Sequence, residues 1–251
     1  MVSKIAAQSN ASGNKSPQGD TWDSIKLLPD WSGGWGDHDW ETGRLRGGEV
    51  SRGIPFNAKA QAQADSYRKL AAAGGDVTQR TQNCVPSGFS GTMGGPEAYY
   101  EFLFTPGRVT ITSENGLIRR IYTDGRKPPD DPDESFHGYS VGHWEGGTLV
   151  VETIGLDRNN SFAANIPVGK GLRVAERMYL TDPDLLQIDS VIEAPAILTA
   201  PYRVTKHFSR HRNYTMNEFN CSQNNRDVDP RTGKQIFDLT PPDDLPPPPK
   251  N

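Results

Sequence analysis

Several stretches of the chain set one ionisable side chain into an otherwise apolar alternating face. Side chains of a strand point to opposite sides in turn, so each stretch can be split into two faces. Glu101 falls with Tyr99 and Leu103, Asp189 with Leu185 and Val191, and Glu218 with Tyr214 and Met216. Glu176 falls with Leu172, Val174, Met178 and Leu180, while Arg119 falls with Leu117 and Ile121 and Arg120 with Ile118 and Tyr122. In 138–155, GYSVGHWEGGTLVVETIG, Tyr139, Val141 and His143 share one face, and Val150, Glu152 and Ile154 share another. A face as apolar as that around Glu176 points inward and buries its carboxylate, which is costly unless the group is paired or protonated.

Two arrangements satisfy that requirement. In one, internal pairs such as Glu176 with Arg119 make a satisfied core network. In the other, a cavity holds carboxylates of raised pKa that act as acid and base. The catalytic set of the second arrangement is Tyr139, His143 and Glu152 on one wall, with Glu101, Glu176 and Arg119 opposite. A carboxylate or His143 removes a proton, and an arginine or Tyr139 stabilises the oxyanion. Arg120, Trp144, Asp189 and His207 complete the expected contacts to substrate. A two-residue turn at Glu145 and Gly146 sets Tyr139 opposite Glu152 and His143 opposite Thr148.

Other chemistries lack their signatures. Of His38, His137, His143, His207 and His211, only the last two are four residues apart, and they lie in a predicted strand rather than a helix. His207 and His211 share a strand face about 13 Å apart. DDPDE at 130–134 lacks the glycine and spacing of an EF-hand. There is no P-loop or dinucleotide fingerprint. Metal-free, cofactor-free acid–base chemistry remains, of lyase or isomerase type, with non-catalytic carriage of a lipophilic molecule as the rival.

The elements that must position these residues are strands. From Tyr99 onward the period is two: YYEFLFT, RVTITSE, LIRRIYTDGR, GYSVGHW, TLVVETI, LRVAERMYL, LLQIDSVIE, YRVTKHFSR and YTMNEFNC follow one another through tight turns. Asn115 followed by Gly116 is the strongest hairpin signal among them. The pattern predicts a mainly β fold, an antiparallel meander closing into a lipocalin-like barrel of eight to nine strands, since closure removes exposed edges. A barrel of about eight strands can hold one small ligand. One helix is expected at 58–73, capped by Asn57 and stopped by Gly74 and Gly75. Trp22, Trp31, Trp35 and Trp40, four of the five tryptophans, need a surface to cover, so an irregular segment wraps onto the barrel. The divisions are a leader at 1–20, the wrapping segment at 21–83, the barrel at 84–222 and a proline-rich tail at 223–251.

Composition narrows the partners. With 26 glycines and 20 prolines in 251 residues, turns outweigh long helices. A net charge of −4, with arginines interleaved among acids, argues against nucleic acid. No run approaches the roughly 18 apolar residues of a membrane span. The expected partners are a small molecule and, at most, further copies of the chain. Residues 1–20 carry no apolar leader core, so a secretory leader is read as already removed. Cys84 and Cys221 form either a disulfide or two buried thiols. A disulfide would close a long loop, contribute about 4–5 kcal/mol in the chain-entropy model, and place the protein in an oxidising compartment.

NCVPSGF, RRIYTDGR, the 138–155 hairpin, LRVAERM and EFNCSQNNR resemble a family of secreted bacterial β-rich proteins whose hairpin reads close to GHSIGRWEGDTLVVDT. The likeness covers roughly residues 22–226. It implies a secreted or periplasmic protein, a pairing of Cys84 with Cys221 and a lipocalin-like barrel, and it brings no activity with it. This chain departs from the pattern at Tyr139, His143 and Gly147, where histidine, arginine and aspartate are common. It also lacks the Pro-His-Ser that often precedes the LRVxER strand.

Overall fold

A computed structural model describes residues 18–37, 53–75, 99–114, 116–161, 165–217, 226–228 and 235–237. Residues 1–17 of the leader, His38, Trp40, Glu218 and both cysteines lie outside these residues, and with them the question of the disulfide. Nine strands form a closed barrel: β1 (Gly34–Asp37), β2 (Tyr100–Thr105), β3 (Arg108–Ser113), β4 (Ile118–Tyr122), β5 (Tyr139–Glu145), β6 (Thr148–Ile154), β7 (Arg173–Asp182), β8 (Leu185–Glu193) and β9 (Tyr202–His211). Two short strands of the tail, β10 (Arg226–Val228) and β11 (Gln235–Phe237), pair separately. The helices are α1 (Trp22–Ile25) and α2 (Ala58–Ala72). Among the described residues no helix is long and apolar enough to cross a membrane.

The ring does not close as a pure antiparallel meander. Nine strands cannot alternate in direction around a circle, so one neighbouring pair must run parallel. That pair is β4 and β5, with Ile121 beside Ser140 and Tyr122 beside Val141. The connection between them, 123–138, is the acidic, proline-rich loop. It is pinned by Ser135 bridging Leu156 and by the Arg158 guanidinium donating to Glu134 at 3.0 and 3.1 Å. At its end Gly138 has φ of +64°, and a Cβ there would stand 2.5 Å from the carbonyl oxygen of Ile154. Only glycine lets the chain turn this tightly into β5.

The closing strand also differs from expectation. YTMNEFNC was to be the last strand, yet its described part, 214–217, has no strand pairing. Its place is taken by β1, from the tryptophan-rich segment, which pairs with β9 (Gly34 to His211, Asp37 to Phe208) and touches β2 at Trp35 and Tyr100. Trp35 turns inward and is fully buried, donating its indole N–H to the Trp31 carbonyl at 2.9 Å. On the outer side Tyr99 and Tyr214 stack at 3.7 Å, and a Cβ at Gly36 would meet the Tyr99 ring at 2.8 Å. The Gly-Trp-Gly sequence thus offers one large side chain to the core and bare backbone to two rings.

Even-numbered positions of β2 and β5, β7, β8 and β9, and odd-numbered positions of β1, β3, β4 and β6, face inward. Two apolar clusters result. One gathers Trp31, Trp35, Tyr100, Phe102, Trp144, Leu149, Met178 and Phe208, with Trp31 edge-on to Phe102 at 5.2 Å and to Trp144 at 5.4 Å. The other gathers Leu172, Val174, Ile192, Ile197 and Leu198 beneath α2, which contributes only Ala60 and Ala64. As expected, Asn57 caps α2 by accepting from the Ala60 N–H at 3.0 Å; it also donates to the Ala196 carbonyl at 2.9 Å. The methyl groups of alanine let the helix lie close on the barrel.

Candidate functional site

Polar residues interrupt the inward face in one region. Arg119 of β4 and Glu176 of β7 are each 1% exposed and form an ion pair across the lumen. Nη1 of Arg119 donates to Glu176 Oε1 at 3.3 Å and Nη2 donates to the other carboxylate oxygen. Nη2 also donates to Thr153 Oγ1 at 2.8 Å, and Nε to Ser140 Oγ at 3.3 Å. Ser140 and Thr153 bond to each other at 2.8 Å. A buried charge pair is tolerated only with its donors and acceptors satisfied in this way. Of the two arrangements open for Glu176 and Arg119, the paired core network is the one present.

Two neighbours of this pair are not satisfied. Oγ of Ser113 and Nδ1 of His137 are buried, and neither meets a hydrogen-bonding partner in the protein. Ser113 is the next inward residue after Ile111, which lies directly beside Arg119. His137 ends the loop into β5, where Gly138 holds it. Burial pushes the imidazole pKa below its ordinary value, and the Arg119 charge lowers it further. Both effects favour the neutral ring over the charged one.

Neither residue was singled out in the sequence. His137 lies in a turn and carries no period. Ser113 did leave a signal, because it is the polar member of an inward face with Val109 and Ile111.

The hairpin face expected to line a cavity is on the outside. Gly146 and Gly147, rather than Glu145 and Gly146, make the two-residue turn, so Glu145 pairs with Thr148, His143 with Val150, Val141 with Glu152 and Tyr139 with Ile154. This corrects the expected pairing of Tyr139 with Glu152. Ser140, Trp144, Leu149, Val151 and Thr153 point inward, leaving the His143 and Glu152 side chains 59% and 49% exposed. His143 Nε2 lies 3.2 Å from Glu145 Oε1, whose other oxygen accepts from Arg177 at 3.0 Å. Glu152 is 3.8 Å from Arg173. Tyr139 packs on Tyr122, with ring centres 5.3 Å apart.

The other expected site residues divide between the faces. Glu101 and Arg120 lie on the outer face, between the buried pairs Tyr100 and Phe102 and Arg119 and Ile121. Asp189 is also outward, accepting from Thr205 Oγ1 at 2.6 Å, Tyr179 OH at 2.9 Å and Gln187 Nε2 at 3.0 Å. His207 joins the same outer network through Gln187 Oε1 at 3.2 Å. Trp144 is inward but belongs to the apolar cluster, 5.4 Å from Phe104. The barrel thus brings Arg119 and Glu176 together, adds His137 and Ser113, and separates them from the remaining candidates.

A cleft of about 440 Å³ opens at the other end of the barrel, between Pro29, Leu180, Pro183, Arg210 and Arg212. Its charges neutralise one another. Arg210 Nη1 donates to Asp30 at 3.0 Å and Arg212 Nη2 to Asp184 at 2.6 Å. Hydrogen bonds from Ser32, with the help of Arg210, bring the Asp30 pKa down to about 2.

The sequence matches no protein-family model, and no curated protein matches it.

Proposed function

We propose that the protein is a small-molecule enzyme performing acid–base chemistry of lyase or isomerase type, with its centre at His137 and Arg119. The carrying observation is the buried, unpartnered Nδ1 of a neutral imidazole beside a buried guanidinium. A neutral imidazole can take a proton from carbon or oxygen. A guanidinium held in place by Glu176, Ser140 and Thr153 needs no reorganisation to stabilise the oxyanion that forms. The substrate class is an aromatic, terpenoid or glycosidic compound, and the compartment is the periplasm or the cell exterior, as the resemblance of the hairpin and the two cysteines suggests. The carrier reading draws less support, because Trp35, Tyr100, Leu149, Met178 and Phe208 are fully buried as core side chains inside the barrel.

The test is deuterium uptake from D₂O into a panel of aryl ketones, terpenoid ketones and keto-sugars, followed by mass spectrometry. Exchange should be catalysed for one class and fall about 10²–10⁴-fold in His137→Ala. Full exchange in His137→Ala, or no exchange across the panel, would sink the proposal.

A further inference from the structure

The cleft beside Leu180 and Arg212 shares no residue with the buried polar layer, and it is a built site in its own right. Arg210 lines it, yet the Arg210 side chain is only 1% exposed. Its guanidinium lies over the Trp35 ring, 4.6 Å from the ring centre, and donates to Asp30 at 3.0 Å, which fixes it in place. Its buried Nε stands 3.3 Å from Asp184 Oδ1 without the alignment of a hydrogen bond. Leu180 packs against the core cluster and also faces the cleft, with Pro29 and Pro183 as the other apolar walls. The volume of about 440 Å³ is in the range of small-molecule sites.

Charge selects the ligand. Arg210 with Asp30, and Arg212 with Asp184, neutralise each other. Asp182, on the same cleft, is left over: one of its oxygens accepts the Asp184 N–H at 3.2 Å, and among the described residues no cation pairs with it. Three carboxylates therefore accompany two guanidinium groups, an excess of one negative charge. Asp30 keeps its charge at any working pH, since its pKa lies at about 2. A concave surface with an excess of one sign concentrates ions of the other. Arg212 does not reverse this preference, because it contacts Asp184 at 2.6 Å and lies 3.7 Å from Asp30, so an incoming anion would meet carboxylates around it. A bare metal ion fits poorly too, as among the described residues no three acidic, histidine or cysteine side chains converge as ligands. An organic cation matches both the carboxylates and the apolar walls.

We propose that this cleft binds an organic monocation, a primary ammonium carried on a compact apolar body. The ammonium sits at Asp182 and Asp30, and the body lies on Leu180, Pro29 and Pro183.

Phenethylamine, 2-phenylethanol and 3-phenylpropanoate carry similar apolar bodies, and at neutral pH they are a cation, a neutral molecule and an anion. Each would be titrated into the full chain while the Leu180 methyl signals, assigned from their loss in Leu180→Met, are followed by NMR. The amine should move those signals and bind about three- to tenfold more tightly than the alcohol, with the anion weakest. Asp182→Asn keeps an acceptor for the Asp184 N–H but removes the charge, and should lower the affinity for the amine to near that for the alcohol. Arg212→Gln removes a half-exposed cation from the rim, and should tighten the amine while leaving the alcohol unchanged. An alcohol bound as tightly as the amine, or a preference for the anion, would overturn the inference. So would Leu180 methyl signals that none of the three disturbs, parent-like binding of the amine by Asp182→Asn, or weaker binding of it by Arg212→Gln.

Discussion

Replacing Glu176 by glutamine keeps the shape of the side chain and removes only its charge. Arg119, 1% exposed, would then be a buried cation without a counter-ion. Breaking one partner of a buried pair costs about 3–5 kcal/mol, because the remaining charge loses the interaction that offset its desolvation. For a chain of this size, about 2–4 °C of melting temperature accompanies each kcal/mol, so Glu176→Gln should melt roughly 6–20 °C lower. The companion variant removes both charges, as Arg119→Met with Glu176→Leu. Ser140 and Thr153 already bond to each other at 2.8 Å, so neither hydroxyl is orphaned. Such replacements are often neutral or stabilising by about 1–4 kcal/mol. The double variant should therefore be more stable than the single one. Urea unfolding followed by tryptophan fluorescence reads both, because Trp31, Trp35 and Trp144 are buried in the neighbouring cluster. A loss of less than about 1 kcal/mol in Glu176→Gln would mean that the lumen is wet and Arg119 solvated. A double variant as unstable as the single would refute the reasoning from desolvation.

Three further outcomes follow from the same geometry. Gly36→Ala should destabilise by about 1–3 kcal/mol in a thermal melt, since its Cβ would stand 2.8 Å from the Tyr99 ring; an unchanged melt would mean that the two stacked tyrosines yield freely. At Glu114, burial raises the carboxyl pKa, but hydrogen bonds from Tyr214, Asn217 and Tyr99 outweigh it and leave the pKa below the ordinary 4.5. Its stabilising contribution is thus complete above that value and is lost as pH falls through the lower folded one, so Glu114→Gln should flatten the acid limb of a stability–pH profile measured from pH 6 to 3. His143→Ala and Glu152→Gln should each change stability by no more than about 0.5 kcal/mol, because both side chains are half in solvent; larger losses by urea titration would mean that the outer face is covered.

The strands from β2 to β9 and the capped helix α2 are legible in the sequence because period, turn glycines and the Asn57 cap agree locally. The Arg119 and Glu176 pairing is legible too, from the strongly apolar face that each shares. The hairpin was ambiguous for a physical reason: both of its faces are apolar. Val141, Val150 and Ile154 on one side compete with Trp144, Leu149 and Val151 on the other, so alternation alone does not say which is buried. Moving the turn from Glu145 and Gly146 to Gly146 and Gly147 is enough to re-pair every residue of the hairpin. β1 is four residues with glycine at two of them, too short and bare to show a period, yet its pairing with β9 completes the ring. The parallel step follows from the odd strand number, and its place between β4 and β5 from β1 taking the closing position between β9 and β2 in antiparallel pairing. His137 is placed by Gly138 and by the loop that precedes it, and no strand periodicity extends to either.

In the proposed mechanism proton transfer occurs inside the barrel at His137, while the conspicuous histidine of the hairpin, His143, stands on the outer wall. Deuterium exchange into the responsive panel compound, measured side by side for His137→Ala and His143→Ala, separates the two directly. A loss of about 10²-fold or more in His137→Ala, with His143→Ala at the rate of the parent, is the predicted result. A parent-like rate in His137→Ala together with a collapse in His143→Ala would contradict the account.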